Sequence, residues 1–438
     1  MDSGSCPFLP LFRNPIPLVQ SQKRSCTLSP VCDGSSLDAD GAIVSTGLAD
    51  GFRGTWIEGT AAADKREYMT MGQPIDKITL KGFKSIKELV DFPLRNLNIL
   101  IGANGAGKSN FVSFFTFLRW AVEDRLRLHV NQKGGADGYL FMGPRVTRQL
   151  YAYLHFGRNG YDFALEPTSS NDFVFAYERV FFEGNLRLVT DVLGGGHLES
   201  KLKERIRPDP APWGIGDYVY DSISSWIIYH FHDTSDTSPM RRPGSVRDNE
   251  YLRPDAGNVG AYLLMLRDRH QRVYEKIRDT VRLAAPFFDD FKFRPRPSNG
   301  DEMLHLEWTQ KGSDYPFLVT QLSDGTLRFI ALTTALLQPS PPATILLDEP
   351  ELGLHPYALN LLAGLLKKAA TQTQVIVSTQ SAPLLDNFEA EDIVVVDRKD
   401  GASTFERLSS EKLQEWLKDF SLGELWQKNV IGGRPSDG

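Results

Sequence analysis

Eight consecutive residues, Gly102-Ala103-Asn104-Gly105-Ala106-Gly107-Lys108-Ser109, carry the spacing G-x-x-x-x-G-K-[ST]. Glycines at these positions let successive backbone N–H groups turn inward and cradle anionic oxygens. A lysine there bridges the outer phosphates of a nucleoside triphosphate, and the following hydroxyl ligates a divalent cation. ATP with Mg2+ is therefore the expected ligand pair, held by Gly102, Asn104, Gly105, Ala106, Gly107, Lys108, Ser109 and Asn110. Far along the chain, the apolar run Ile345-Leu346-Leu347 ends in Asp348-Glu349-Pro350. Two adjacent acids can divide two tasks: Asp348, with Ser109, holds the metal, while Glu349 orients and deprotonates the attacking water. An Asp-Glu pair at a strand end is ordinary by itself, and the phosphate loop is what makes it a hydrolytic candidate. Lys108 and Glu349 are thus expected to be catalytic.

Elements in a fixed order must position these groups. Ile75 to Gly82 alternates and runs into Phe83-Lys84-Ser85-Ile86, as a strand entering a turn does. Leu97 to Ile101 is a short, largely apolar strand that feeds the glycine loop, and Phe111 to Leu128 has apolar residues at helical spacing. Strand, loop and helix therefore follow in the order phosphate binding requires. From about 148 to 190, aromatic and polar residues alternate between Gly157, Asn159-Gly160 and Glu183-Gly184, which predicts antiparallel hairpins in an inserted β-lobe. Ala261 to Leu283 reads as one helix, too short for a coiled-coil arm. Thr344 to Leu347, Gln374 to Val377 and Ile393 to Val396 read as buried strands, the first two separated by a helix carrying Leu359, Leu362 and Leu366, and Ser410 to Phe420 as a further helix. The fold class expected is α/β, a P-loop NTPase with a mixed sheet, the inserted antiparallel β-lobe and a helical lobe.

Composition sets the outer bounds. The 438 residues are 41% hydrophobic and 24% charged, which excludes a collagen-like or wholly disordered chain. The formal net charge of -6 argues against a surface coated with positive charge for non-specific nucleic-acid binding, although a local basic groove is compatible with it. No apolar run approaches the roughly 20 residues that cross a bilayer, so no membrane association is expected. Cys6, Cys26 and Cys32 all lie near the start, leaving the main fold free of thiols, as suits a reducing, cytoplasmic setting. Residues 1–70, rich in Ser, Gly, Asp and Pro, read as a disordered leader; Met69 or Met71 is a plausible native start. One domain is expected over 71–430, in three parts: 73–147 with the phosphate loop, 148–315 with the β-lobe and helical region, and 316–430 with the two later motifs. A flexible tail, 431–438, follows.

Gln321-Leu322-Ser323-Asp324-Gly325-Thr326 opens an apolar helix shortly before the acidic strand. Alone it is an ordinary capped start, with Ser323 or Asp324 as N-cap. Its position, together with the phosphate loop, Leu-Leu-Asp-Glu-Pro and the later Ser378-Thr379-Gln380-Ser381, resembles the ABC-type ATPase heads of the RecF/SMC group, and more narrowly the arm-less RecF-like bacterial AAA-family ATPases. The resemblance covers about 73–430. It implies that Ser323 and Gly325 bind the γ-phosphate held by a second subunit, so that a homodimer forms in the ATP state. It implies that Lys84, in Ile78-Thr79-Leu80-Lys81-Gly82-Phe83-Lys84-Ser85, approaches the nucleotide, and that Glu351 to Pro356 lies where the D-loop crosses the dimer interface. Gln380 stands where transporter heads usually have a switch histidine. A glutamine donates a hydrogen bond but carries no titrating proton, so a switch role is expected without acid–base chemistry. Gln132 is one candidate for the Q-loop glutamine.

Two other clusters are weighed. Tyr229-His230-Phe231-His232-Asp233 has the residue types of a metal triad, but i and i+2 histidines are a common packing arrangement and a fourth ligand is lacking. Residues 240–297 hold 13 Lys and Arg against 8 Asp and Glu; Arg267, Arg269, Arg272, Lys276 and Arg278 either face DNA phosphates or form a solvated face, the second being favoured. The leading functional expectation is an ATP-hydrolysing head that dimerises around ATP and acts on DNA in double-strand break or recombinational repair. The alternative is an ATP-gated scaffold in phage defence that controls a separate effector protein with little hydrolysis. A transporter subunit is disfavoured by the absent histidine, and a fused Toprim-type nuclease by the short stretch after Gln380.

Overall fold

The computed structural model describes residues 72–185, 187–206, 214–298 and 300–433. The leader, its three cysteines, Met69 and Met71 lie outside the described residues, as do 434–438 of the tail.

The first sheet is built from alternating sequence. β1 (Lys77–Phe83) buries Ile78 and Leu80, then turns at Lys84-Ser85 into β2 (Ile86–Pro93), pairing Phe83 with Ile86. β4 (Leu150–Phe156), β5 (Asn159–Pro167), β6 (Phe173–Glu183) and β7 (Leu188–Gly194) follow β3 (Leu97–Ile101) in sequence. The order is β2-β1-β4-β5-β6-β7, antiparallel throughout. The expected hairpins are present, but they are not a separate lobe: β4 pairs with β1, because its apolar face needs the same cover that β1 has.

The second sheet carries the chemistry. It comprises β3, β8 (Ile227–Tyr229), β15 (Thr344–Asp348), β16 (Gln374–Thr379), β17 (Ile393–Lys399) and β18 (Ala402–Arg407), in the order β18-β17-β3-β16-β15-β8. All neighbours are parallel except the β17–β18 hairpin. Six short strands, β9 (Gly244–Ser245), β10 (Phe288–Phe293), β11 (Arg296–Ser298), β12 (Asp301–Leu304), β13 (Leu306–Gln310) and β14 (Pro316–Leu318), form two smaller sheets.

Strand side chains alternate faces, so the near-continuous apolar runs of β3, β15, β16 and β17 serve two cores. Ile99, Ile101, Ile345, Leu347, Val375 and Val377 face one; Leu100, Leu346, Ile376, Val394 and Val396 face the other. Helix α1 (Lys108–Val122) fills the second core, between the two sheets, with Phe111, Phe114, Phe115 and Phe117 at most 1% exposed. Each such ring contributes roughly 1.5–3 kcal/mol by burial, which holds the start of α1 rigidly under the phosphate loop. The helix predicted over 111–128 is interrupted: Asp124 adopts φ 59, and α2 (Leu126–Gln132) starts a new axis. α3 (Ile215–Ser224) leads into β8.

The other core lies under α4 (Val259–Arg269), α5 (Gln271–Ala284), α6 (Asp324–Leu337) and α7 (Pro356–Ala369). The single helix expected over 261–283 is in fact α4 and α5, joined at His270 with φ -131, ψ 51, outside helical geometry. The helix expected over 410–420 is also shorter, Ser410–Leu413 followed by a 3-10 turn at Trp416–Lys418. No helix among the described residues is long and apolar enough to cross a membrane.

Candidate functional site: a phosphate loop facing two carboxylates

The loop between β3 and α1 owes its shape to glycines at particular places. Gly105 has φ 80 at the open tip, and Gly107, the N-cap of α1, has φ 117, a conformation that L side chains rarely adopt. A Cβ on Gly107 would also meet the hydroxyls of Ser403 and Ser85. No side chain caps α1, so its first amide groups and the positive end of its dipole stay available for an anion. Lys108 is 4% exposed, and its Nζ donates to the carbonyls of Gly102 at 2.7 Å and Ala103 at 3.2 Å. Burial holds its ammonium below the usual lysine range, offset in part by Glu349, Asp348 and Glu351.

A cavity of about 130 Å³ lies over this loop, lined by Asn104, Gly105, Gly107, Lys108, Ser109, Asn110, Glu349 and Gln380. Residues separated by more than 200 positions meet here because β15 and β16 run parallel to β3, so all their C-terminal ends open on one edge. Ala106 is buried in the core instead, and its carbonyl accepts from the Ser403 hydroxyl at 2.5 Å. Asn110 borders the cavity while its amide donates to Ser85 at 2.7 Å.

Glu349 follows the acidic strand with φ 41, and its N–H donates to the Ser378 carbonyl at 2.7 Å. The Gln380 side-chain amide donates to Glu349 Oε1, placing the switch residue directly on the candidate base. Beneath them, Glu351 accepts from the Thr379 hydroxyl at 2.5 Å and the Gln380 N–H at 3.0 Å. Burial raises the Glu351 carboxyl above its ordinary range, with these two donors opposing the rise. Asp348 Oδ1 is buried with no hydrogen-bond partner among the described residues. Such an orphaned carboxylate oxygen is costly unless something satisfies it, and a hard cation shared with the Ser109 hydroxyl would do so. The donor set therefore fits Mg2+.

Ser323 and Gly325 do not line this cavity. Ser323 is exposed and caps α6, accepting from Thr326 N at 3.3 Å, which is the local role its sequence position allows. A Cβ on Gly325 would strike the Gly353 carbonyl, so this glycine lets α6 pack on the backbone of the Glu351–Pro356 loop. Gln132 lies exposed at the end of α2, outside the cavity. Lys84 does not line this cavity either. Its φ of 49 at the β1–β2 turn sends the side chain one helical turn past Ser109, where Nζ donates to Ser113 at 2.8 Å. The triad reading of 230–233 also fails. Asp233 accepts from Ser235 at 2.7 Å, and no group of three or more His, Cys, Asp and Glu among the described residues could hold a metal.

Three residues tie the site together without having been singled out for it. Arg328 of α6 is buried and donates to the carbonyls of Phe231 at 2.8 Å, His232 at 3.0 Å and Leu352. Arg241, also buried, holds Thr234 at 2.8 Å and the Asp324 carboxylate at 2.7 Å, fixing the start of α6 to the loop after β8. His230 follows Tyr229, which pairs with Leu347, so the register sets it beside Asp348. The only sequence signal for these arginines was a cation inside an apolar helix or a Pro-rich loop, which does not reveal which carbonyls it satisfies. In the basic region, Arg267 pairs with Asp268 at 2.9 Å, and Arg278 with Asp279 at 3.0 Å and Asp290 at 3.7 Å, as on a self-neutralised surface. Arg269, Arg272 and Lys276 are exposed.

A family model described as "AAA domain, putative AbiEii toxin, Type IV TA system" matches residues 198–387, a segment that begins after the phosphate loop. No curated protein matches the chain at a significant level. Among solved structures, the SMC head bound to the C-terminal winged-helix domain of ScpA is similar with a TM-score of 0.50 and 17% identity, over 78% of this chain and 99% of that one. An Smc head with an extended coiled coil, bound to the C-terminal domain of ScpA from Pyrococcus furiosus, gives 0.46 at 17% identity over 79% and 99%. The SMC head from Thermotoga maritima gives 0.38 at 17% identity over 77% and 99%. The first of these carries the structural argument: the mixed α/β architecture, with its antiparallel and parallel sheets and helical layer, is of the general SMC and ABC-ATPase head type.

Proposed function

We propose that this chain is a Mg2+-dependent ATPase head that pairs with a second copy around ATP and gates a separate effector in a defence or toxin–antitoxin setting. The observation that carries the catalytic part is the contact of Gln380 with Glu349 at the rim of the phosphate-loop cavity. In this reading the loop amides and Lys108 hold the β- and γ-phosphates, Lys108 exchanging the carbonyls of Gly102 and Ala103 for phosphate oxygens. Ser109 and Asp348 hold Mg2+, which neutralises charge on the phosphates when bound. Glu349 takes the proton of the attacking water, and Gln380 fixes the carboxylate and responds to the γ-phosphate as a neutral donor.

Ser323 is exposed at the start of α6, as a role on a partner's triphosphate requires. A γ-phosphate contacted by both subunits gives ATP more affinity for the pair than for the single chain, and that difference is what shifts the equilibrium. For the biological setting, the match of residues 198–387 to a model of AAA domains that include a putative AbiEii toxin favours defence over DNA repair. The test combines phosphate release with light scattering. Wild type should hydrolyse ATP slowly and pair in its presence, Lys108→Ala should do neither, and Glu349→Gln should pair without turnover. Negligible turnover in wild type, unchanged in Glu349→Gln while ATP still drives pairing, would leave an ATP-gated scaffold as the correct account.

A further inference from the structure

A second cavity, of about 360 Å³, lies beside α1 and is bordered by Lys84, Ser113, Thr116, His129, Lys133 and Tyr139, with the backbone of Gly138. Its lining holds two lysines, a histidine and hydroxyl groups, and no carboxylate. Lys84 rests over the rings of Phe83 at 5.5 Å and Tyr139 at 5.2 Å and donates to Ser113 Oγ at 2.8 Å. Among the described residues no ion pair neutralises it, whereas Lys77 and Lys81 of the preceding strand β1 each have a carboxylate partner. The location is fixed by packing: α2 stacks His129 on Trp120 at 5.3 Å, and the chain then passes through Lys133 to Tyr139, whose carbonyl accepts from Lys84 N–H at 2.7 Å.

We infer that this cavity is a phosphate oxyanion site, separate from the phosphate loop, in which Lys84 and Lys133 supply charge and Thr116 and Tyr139 supply neutral donors, while Ser113, whose hydroxyl donates to the Asn110 carbonyl at 2.8 Å, holds Lys84 in place. Electrostatics agree with the geometry. The Lys84 ammonium is held below its usual range by burial and then by Lys133, and His129 by burial and then by both lysines. Clustered like charges of this kind are relieved by an anion. Burial pushes the Tyr139 phenol up to about 12, so it remains a proton donor across the physiological range. The oxyanion has two chemical sources, a nucleic-acid backbone or a free nucleotide.

Binding of a fluorescein-labelled 20-base-pair duplex and of mant-ATP to full-length protein, followed by fluorescence, separates them. In Lys84→Gln/Lys133→Gln, a loss of roughly tenfold to a hundredfold is expected, from two charge-assisted contacts. Loss confined to the duplex, with a flatter salt dependence, assigns the site to nucleic-acid phosphate. Loss confined to mant-ATP assigns it to nucleotide phosphate. If both probes weaken, Lys84→Arg/Lys133→Arg decides: recovery supports charge recognition, and failure to recover overturns it. Unchanged affinity for both probes in a normally folded double variant also overturns the site.

Discussion

At the scale of single residues, two neighbouring glutamates stand in different surroundings. Glu349 faces the cavity, whereas Glu351, two residues on, lies beneath the switch segment and accepts from Thr379 and Gln380. Replacing a general base typically costs 10²–10⁴-fold, so Glu349→Gln should lower turnover by about that factor while leaving mant-ATP affinity within a few-fold. Glu351→Gln should behave differently. Its native carboxyl sits above the ordinary 4.5 because burial favours the neutral acid. A group that binds its proton more tightly when folded stabilises the fold at low pH and withdraws that contribution as pH rises through the native value. Wild type should therefore lose more stability than Glu351→Gln between about pH 4.5 and neutrality, measured as melting temperature against pH. Equal slopes would show that Glu351 does not contribute.

At the scale of elements, the two later motifs are held by backbone contacts rather than by their own side chains. Gly325→Ala forces a methyl into the Gly353 carbonyl and should cost about 1–3 kcal/mol in urea unfolding while altering the exposed loop at 351–356. Arg328→Met leaves the carbonyls of Phe231, which is buried, and of His232 and Leu352, which are more exposed, without that donor. At roughly 1–3 kcal/mol for an unsatisfied buried group, the loss should be of the same order as that of Gly325→Ala, and turnover should fall with it, because Phe231 and His232 flank the acidic strand. A stable Arg328→Met protein with normal turnover would separate α6 from the catalytic edge.

For the whole molecule, the decisive property is whether the site is completed by a second copy. Lys108→Ala and Ser323→Arg should each be inactive alone. Mixed in equal amounts they should regain part of the wild-type turnover, because the hybrid contains one pocket with an intact Lys108 and an intact Ser323. No recovery on mixing would restrict the site to one chain.

Much of this was legible in the residues themselves. The glycine spacing from 102 to 109, the apolar run before Asp348 and the capped start at Ser323 are local patterns, and local backbone preference writes them directly into sequence. The parallel strands were readable because burial on both faces demands uninterrupted apolar runs. Other features depend on how distant segments pack. The strands after 150 join the β1 sheet, α4 and α5 split at His270, and Lys84 turns away to Ser113, each decided by which surfaces cover one another. Arg241 and Arg328 belong to the same class, since a buried cation acquires its meaning from carbonyls up to about a hundred residues away that only the fold brings within hydrogen-bond distance. The sequence by itself determined which groups are candidates for binding and cleaving a phosphoanhydride, because that follows from residue type and spacing. The tertiary structure alone decided that Glu349, Gln380 and the phosphate loop share one edge, because only parallel register brings three separate strand ends together.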